Sequence, residues 1–205
     1  GLFNADIVTT GGAEVINEML NKNRIVNYVP HHFINQIPKE NREPLLVRVN
    51  EAIVVLYNSE AHPNAAPIKN LWELTEAKWK GKIGIKNPLS SGSTFMGVAT
   101  FVQHADEMAA AYKRLHGKSL KLSPGVKDAG HEFVARLLKN DIVIFKSGSK
   151  LARAAGKKGQ KKPLLAISNM TYLAYNDSKG YTNSVAADVD PVSKIVYASY
   201  TAIAR

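Results

Sequence analysis

The stretch Asn87-Pro88-Leu89-Ser90-Ser91-Gly92-Ser93-Thr94 decides how the rest of the chain is read. It follows Gly81-Lys82-Ile83-Gly84-Ile85, a short alternating apolar run with the period of a strand, and precedes Phe95-Met96-Gly97-Val98-Ala99-Thr100-Phe101-Val102, small and apolar enough for a buried helix. A strand, a Ser/Gly turn and a helix in that order present free backbone N–H groups at the helix start. These groups, the helix dipole and nearby hydroxyls all favour a negatively charged ligand. Taken alone, Ser91 or Ser93 reads as an ordinary helix N-cap.

The pattern recurs, and the recurrence gives it weight. Ala5-Asp6-Ile7-Val8-Thr9-Thr10 is strand-like and runs into Gly11-Gly12, after which Ala13 to Leu20 carries apolar positions at helical spacing. Asp141-Ile142-Val143-Ile144-Phe145 opens onto Lys146-Ser147-Gly148-Ser149-Lys150 and a short helix from Leu151, repeating the Ser-Gly-Ser of the first turn. Alternating strands and helices predict an α/β protein with mixed, largely parallel sheets. Ligands of such sheets bind beyond the carboxyl ends of the strands, where the three turns are expected to converge.

Further along, Leu45 to Asn58 forms an extended run too long for an ordinary strand of one small sheet, as expected for a segment crossing between two lobes. Trp72 and Trp79, seven residues apart, are expected to pack on each other. Met108 to Gly117 and Phe133 to Lys139 read as helices, Leu164 to Ile167 as a strand, and Ile195 to Ile203 as a closing strand. Ser168-Asn169-Met170-Thr171-Tyr172 follows the 164–167 strand and supplies polar groups near the expected hinge.

Composition narrows the function classes. With 205 residues, 45% hydrophobic and 21% charged, the chain can bury a core as one domain or two small lobes. No apolar run reaches the roughly 20 residues of a membrane helix. The absence of cysteine excludes disulfides, thiolate metal sites and a thiol nucleophile. A net charge of +10 fits nucleic acid, an anionic membrane surface or an acidic small ligand. The basic run Lys157-Lys158-Gly159-Gln160-Lys161-Lys162 lies in a helix–strand turn without interleaved aromatic residues, so it reads as a solvated turn rather than a nucleic-acid site.

Catalytic motifs are missing. There is no Gly-x-Ser-x-Gly elbow, no phosphate-binding loop with its Gly-Lys-Ser/Thr ending, and no zinc-type histidine pattern. His31-His32 are adjacent and cannot share one face of a helix or strand. The candidate residues, mostly Ser, Thr, Gly, Asn and Tyr, form a hydrogen-bonding set rather than a proton-transfer set. The reading is a non-enzymatic protein without a cofactor.

In segment order the chain resembles the periplasmic substrate-binding proteins of ABC transporters, in the branch that includes ferric-iron binders. The most specific likeness joins Leu71-Trp72-Glu73-Leu74, Lys78-Trp79-Lys80-Gly81-Lys82-Ile83 and the Pro88 to Ser93 turn. Ala5 to Gly12 is similar to that family's first ligand loop, and Ala52 to Asn58 to its first crossover strand.

The resemblance implies a two-lobed type II fold that closes on its ligand and delivers it to a membrane permease. Residues 1–50 and 195–205 would belong to lobe 1 and residues 51–194 to lobe 2, with crossover strands near 46–57 and 164–175. It implies a periplasmic or extracellular monomer, with a lipid anchor on a removed leader as one mode of attachment. A longer native chain is expected, extending before Gly1 and after Arg205.

The ligand set it implies is Thr9, Thr10, Gly11 and Gly12 from one lobe, with Ser90, Ser91, Gly92, Ser93, Thr94, Ser147, Gly148 and Ser149 from the other. Asn169 and Tyr172 would stand near the hinge, and Lys146 or Lys150 would add charge. In the iron-binding branch a tyrosine pair follows the strand that matches Leu164 to Ile167; here Thr171 stands in one of the two places and only Tyr172 remains. The expected solute is therefore a small anion. Ferric iron bound through Tyr172, with Tyr175, Tyr197 or Tyr200, is the alternative, and an enzyme or a regulator's effector domain on the same fold is a third reading.

Overall fold

The computed structural model describes residues 5–12 and 15–205. In chain order its regular elements are β1 (Ile7–Gly11), β2 (Ile25–Val26), β3 (Leu46–Asn58), β4 (Ile83–Lys86), α1 (Gly92–Gln103), α2 (Ala105–His116), α3 (Ala129–Lys139), β5 (Val143–Phe145), α4 (Gly148–Gly156), β6 (Leu165–Asn169), α5 (Tyr175–Lys179), β7 (Asn183–Val185) and β8 (Lys194–Ala204). The chain divides into two compact units, Gly1–Glu51 with Val196–Arg205 and Ala52–Ile195. Strand β3 passes from one unit to the other at Glu51–Ala52, and β8 does so at Ile195–Val196. β6, expected as part of a crossover near 164–175, lies wholly in the larger unit.

In the smaller unit, β1 and β2 both pair antiparallel with β8, placing Thr9 opposite Thr201 and Ile25 opposite Ala204. Its core gathers Val15, Ile25, Leu45 and Ala202, with Met19, Leu20 and Tyr200 packed around them. The expected helix after β1 is described from Val15 onward; Ala13 and Glu14 lie outside the described residues. Residues Ile16–Leu20 form a single wide turn in which the Asn21 N–H donates to the Ile16 carbonyl at 2.8 Å, five residues back.

In the larger unit, β3 pairs antiparallel with β6 and β7, whereas β4 lies parallel to both β5 and β6. The expectation of largely parallel sheets is thus corrected: the parallel pairs are the two that β4 makes, and the other strand pairs described above are antiparallel. The physical reason lies in the long strands. β3 and β8 run antiparallel to the strands paired with them above, while β4, β5 and β6 are joined in turn by the helical crossovers that parallel neighbours need.

Three helices cover one part of this unit around an aromatic cluster. Trp72 meets Tyr112 and Phe133 edge-on at centroid distances of 5.0 and 5.2 Å, and Phe133 meets Phe101 at 5.1 Å. The Trp72 indole N–H donates to the Met108 carbonyl at 2.8 Å, satisfying the one polar group of a fully buried ring. Trp79 instead faces His62, so the two tryptophans do not form the expected pair. The reason is the turn at Leu71–Thr75, whose capping box between Asn70 and Glu73 aims Trp72 at α2 and α3.

Glycine has a specific task where α1 crosses α3. A Cβ on Gly130 would stand 2.5 Å from Val102 Cα and 2.7 Å from the Phe101 carbonyl carbon, so the crossing requires its absence. A second core, formed by Ala52, Val54, Leu56, Leu151, Ala155 and Ala166, packs α4 against β3 and β6.

Candidate functional site

Strands β4, β5 and β6 are neighbours and parallel, with Ile85 in register with both Ile144 and Ile167. Their carboxyl ends therefore open on the same side. β4 leads through Asn87–Ser91 to α1, β5 leads through Lys146–Ser147 to α4, and β6 leads into the turn that carries Tyr172. These three exits meet in a small polar pocket of about 30 Å³, lined by Lys86, Ser91, Ser93, Thr94, Gly148, Ser168, Asn169 and Tyr172. That space admits about one or two water-sized groups.

Two helices begin at the pocket. In α1 the first helical bond is donated by the Phe95 N–H to the Ser91 carbonyl at 2.9 Å, which leaves the N–H groups of Gly92, Ser93 and Thr94 without intrahelical acceptors. The Ser91 hydroxyl does not cap them. It accepts from Thr94 Oγ1 at 3.1 Å and lies 3.4 Å from Ser93 Oγ, so three hydroxyls are linked at the pocket wall. In α4 the Leu151 N–H donates to the Ser147 carbonyl at 3.1 Å, and Ser147 likewise makes no side-chain cap. The positive ends of two helix dipoles and three hydroxyls meet at a space that Lys86 also lines and whose lining contains no carboxylate. This arrangement favours negative charge.

Tyr172 closes the wall on the α4 side. Its ring lies against the Cα of Gly148: a Cβ built there would stand 2.6 Å from Tyr172 Cζ and 2.8 Å from Cε2, and would overlap the phenol oxygen. Glycine at 148 is what lets the phenol reach the first turn of α4. One helical turn further, Tyr175 packs edge-on to Tyr172 at 5.3 Å, and its hydroxyl lies 2.9 Å from Ser149 Oγ. The hydrogen bond to Ser149 and the Lys179 ammonium, 3.6 Å over the ring centroid, hold the Tyr175 phenol below its ordinary value against a smaller opposing effect of burial.

Of the residues expected from sequence, the pocket unites Ser91, Ser93, Thr94, Gly148, Asn169 and Tyr172. Ser90 turns away, its hydroxyl donating to the Asn87 carbonyl at 3.3 Å. Gly92 and Ser147 stand at the starts of α1 and α4 as backbone, and Ser149 is engaged with Tyr175. Thr9, Thr10 and Gly11 belong to β1 of the smaller unit, paired with Thr201, Tyr200 and Ser199. The Gly12 N–H donates to the Ala198 carbonyl at 3.3 Å, and its φ of 109° is one that glycine readily adopts.

Lys146 and Lys150 do not line the pocket; the cation there is Lys86. Lys86 and Ser168 were not anticipated. Both sit at the ends of parallel strands, Lys86 as the last residue of β4 and Ser168 as the penultimate residue of β6, and that position was the available signal. Among the described residues no group of three or more His, Cys, Asp or Glu side chains could hold a metal ion. No described helix is long and apolar enough to cross a membrane.

No protein-family model matches the chain, and no curated protein matches its sequence. Solved structures do match. Iron-bound HitA from Pseudomonas aeruginosa is 18% identical with a TM-score of 0.65, over 99% of this chain and 60% of that one. The apo ferric ion-binding protein A of Pasteurella haemolytica is 14% identical with a TM-score of 0.69, over 99% and 60%. The substrate-binding protein of an ABC transporter from Agrobacterium tumefaciens is 11% identical with a TM-score of 0.69, over 98% and 54%.

At such identities the likeness establishes the fold. The chain has an α/β fold with a mixed sheet, similar to the fold of these binding proteins. It spans 54–60% of the length of these three structures.

Proposed function

We propose that this chain is the solute-binding part of an ABC-type importer, working outside the cytoplasmic membrane, and that its cargo is ferric iron held together with an oxyanion. The observation that carries this reading is the pocket at the starts of α1 and α4, where linked hydroxyls and Lys86 face a tyrosine phenol. The likeness to structures described as iron-bound HitA and ferric ion-binding protein A supports iron as the cargo.

Charge decides the form in which iron would bind. A pocket with Lys86 and two helix N-termini repels a bare trivalent cation, and no carboxylate lines it to offset that repulsion. An oxyanion on the hydroxyl and N–H groups reverses the local sign, and the Tyr172 phenolate then supplies a hard oxygen ligand. In this reading Tyr172 binds iron, Ser91, Ser93 and Thr94 with the first N–H groups of α1 and α4 hold the anion, and Lys86 balances its charge. The cargo would then pass to a membrane permease. No bond of the solute is made or broken.

A second reading, the oxyanion alone as solute, is favoured by the single tyrosine in the lining. Titration of the full chain with Fe³⁺, with and without phosphate, separates the two. A visible tyrosinate-to-iron band that needs phosphate and is lost in Tyr172→Phe supports the iron reading. Saturable phosphate binding without a band supports the second. Absence of both signals would rule the pocket out as the solute site.

A further inference from the structure

We propose that the edge of the larger unit opposite the pocket is a docking face for an anionic lipid surface, held by lysines that the fold gathers from neighbouring turns. From sequence, the 157–162 run taken alone reads as a solvated turn. The fold sets other turns beside it. Parallel pairing of β4, β5 and β6 puts the amino ends of these strands on one side. α3 leads into β5 and α4 into β6, so the last turns of both helices lie on that side as well. Backbone bonds join the turns there: the Gly81 N–H donates to the Asn140 carbonyl at 3.0 Å, and the Leu165 N–H donates to the Lys82 carbonyl at 2.9 Å.

These turns carry cations without counter-charges. Lys139, Lys157, Lys158, Lys161 and Lys162 are exposed and make no ion pair among the described residues. By contrast, Lys80 meets Asp141 at 3.4 Å, and Lys78 meets Glu73 and Glu76 at 3.1 and 2.9 Å. One carboxylate reaches the 157–162 run, that of Glu60, which accepts the Gly159 N–H at 2.7 Å and stands against four lysines. The helix dipole accounts for a lysine at the end of a helix, as at Lys139 and Lys157. It does not account for Lys158, Lys161 and Lys162, which lie past the end of α4.

The chemistry of this edge selects the partner. Its charges are ammonium groups on flexible stems, point charges suited to a diffuse layer of phosphates rather than to forked, base-by-base contacts. The aromatic residue of these turns, Trp79, is buried and offers no face for a base to stack on. A cluster of four to eight basic residues is what an anionic bilayer holds, with each lysine adding to the affinity. The choice of a lipid surface over another polyanion rests on the reading above of a protein that works beside a membrane. Lys82 precedes β4 and Lys86 ends it at the pocket, about 13 Å further along the strand. Docking through this edge therefore leaves the pocket's side of the unit open to solute.

Co-sedimentation of the full chain with vesicles is the test. Mixed phosphatidylglycerol–phosphatidylcholine vesicles should bind it at low ionic strength and phosphatidylcholine vesicles should not. Binding should vanish near 1 M salt, where the screening length is about 3 Å. The variant Lys157→Gln/Lys158→Gln/Lys161→Gln/Lys162→Gln should bind about a hundredfold more weakly. A control of equal net charge, K113Q/K118Q/K121Q/K127Q, alters exposed lysines of α2 and of the segment leading into α3, whose start lies about 15 Å from Lys139. It should lose no more than about threefold. All eight positions are exposed, so both variants should melt with the parent, which checks their folding. Absence of binding to the anionic vesicles overturns the proposal, and so does an equal loss in the two variants, which marks an effect of net charge alone. Retention of a duplex oligonucleotide through the same four lysines, without vesicle binding, overturns it in favour of nucleic acid. The iron and phosphate titrations test the pocket separately, so the docking face and the pocket fail independently.

Discussion

The phenol ring of Tyr172 occupies the space beside Gly148 that any larger residue at that position would claim, with Cζ 2.6 Å from where a Cβ would stand. The two positions are 24 residues apart and belong to different strand exits, so their fit couples the wall of the pocket to the start of α4. Gly148→Ala forces the ring outward. Its expected effect is a loss of about 1–2 kcal/mol in stability from overpacking. Solute affinity should fall by roughly tenfold as the pocket wall is displaced. In a Tyr172→Ala background the alanine at 148 should cost almost nothing, a coupling that a double-mutant unfolding cycle reads directly.

The crossing of α1 over α3 is less forgiving. At Gly130 the atoms in the way are backbone, Val102 Cα at 2.5 Å and the Phe101 carbonyl carbon at 2.7 Å, and backbone cannot turn aside as a side chain can. Gly130→Ala is expected to destabilise by about 3 kcal/mol. For a chain of this size, that corresponds to a melting point lower by roughly 6–12 °C. Thermal unfolding of the variant checks it.

Stability in acid should depend on Glu132, a fully buried carboxylate near the start of α3. It accepts from the Ser123 N–H at 2.8 Å, the Ser123 hydroxyl at 3.0 Å and Arg136 Nε at 2.7 Å. Burial pushes its pKa up, but the bonds from Ser123 and Arg136 outweigh burial and hold it below the ordinary 4.5. A depressed folded-state value means that the stabilisation is complete above about 4.5 and is lost as pH falls through the lower folded value. Asp128 and Glu73 are shifted in the same direction. Glu132→Gln should cost about 2–3 kcal/mol at neutral pH. It should also flatten, without abolishing, the fall in stability below about pH 4.5, as measured by urea unfolding across pH.

Tyr175 should reveal itself in an alkaline spectrophotometric titration. With Ser149 hydrogen-bonded to its hydroxyl and Lys179 over its ring, one tyrosine is expected to ionise below the ordinary value of 10. Lys179→Met should move that early step upward, and Ser149→Ala should do the same. An unchanged titration in both variants would mean that the early ionisation belongs to another tyrosine.

The elements around the pocket were legible in the sequence because their signals are local. The Ser-Gly-Ser turns follow short apolar strands, and Gly148 and the hydroxyls at 91, 93 and 94 sit where such a turn places them. Sheet direction was not legible, because it depends on which strand lies beside which. The βα alternation correctly indicates β4 with β5 and β6, but nothing in β3 or β8 reveals that their partners run the other way.

The same limit hid the partners of Trp72. Its spacing from Trp79 is a helical one, whereas a capped turn separates the two and Tyr112 and Phe133 arrive from distant sequence. Lys86 lines the pocket where Lys146 and Lys150 are expected, for a related reason. Proximity to a serine turn in sequence is a weaker guide than position at the end of a central parallel strand.

The central claim is that the starts of α1 and α4 together hold the anionic part of the solute. The most direct test follows backbone amide resonances of the ¹⁵N-labelled full chain during titration with phosphate, phenyl phosphate and benzoate. The account predicts saturable shifts for at least one of them, concentrated at Gly92, Ser93, Thr94, Gly148 and Ser149 and diminished in Ser91→Ala/Ser93→Ala. Saturable shifts that leave these amides unmoved and gather elsewhere, for instance along the open groove beside Ala109 and Lys113 on α2, would contradict it.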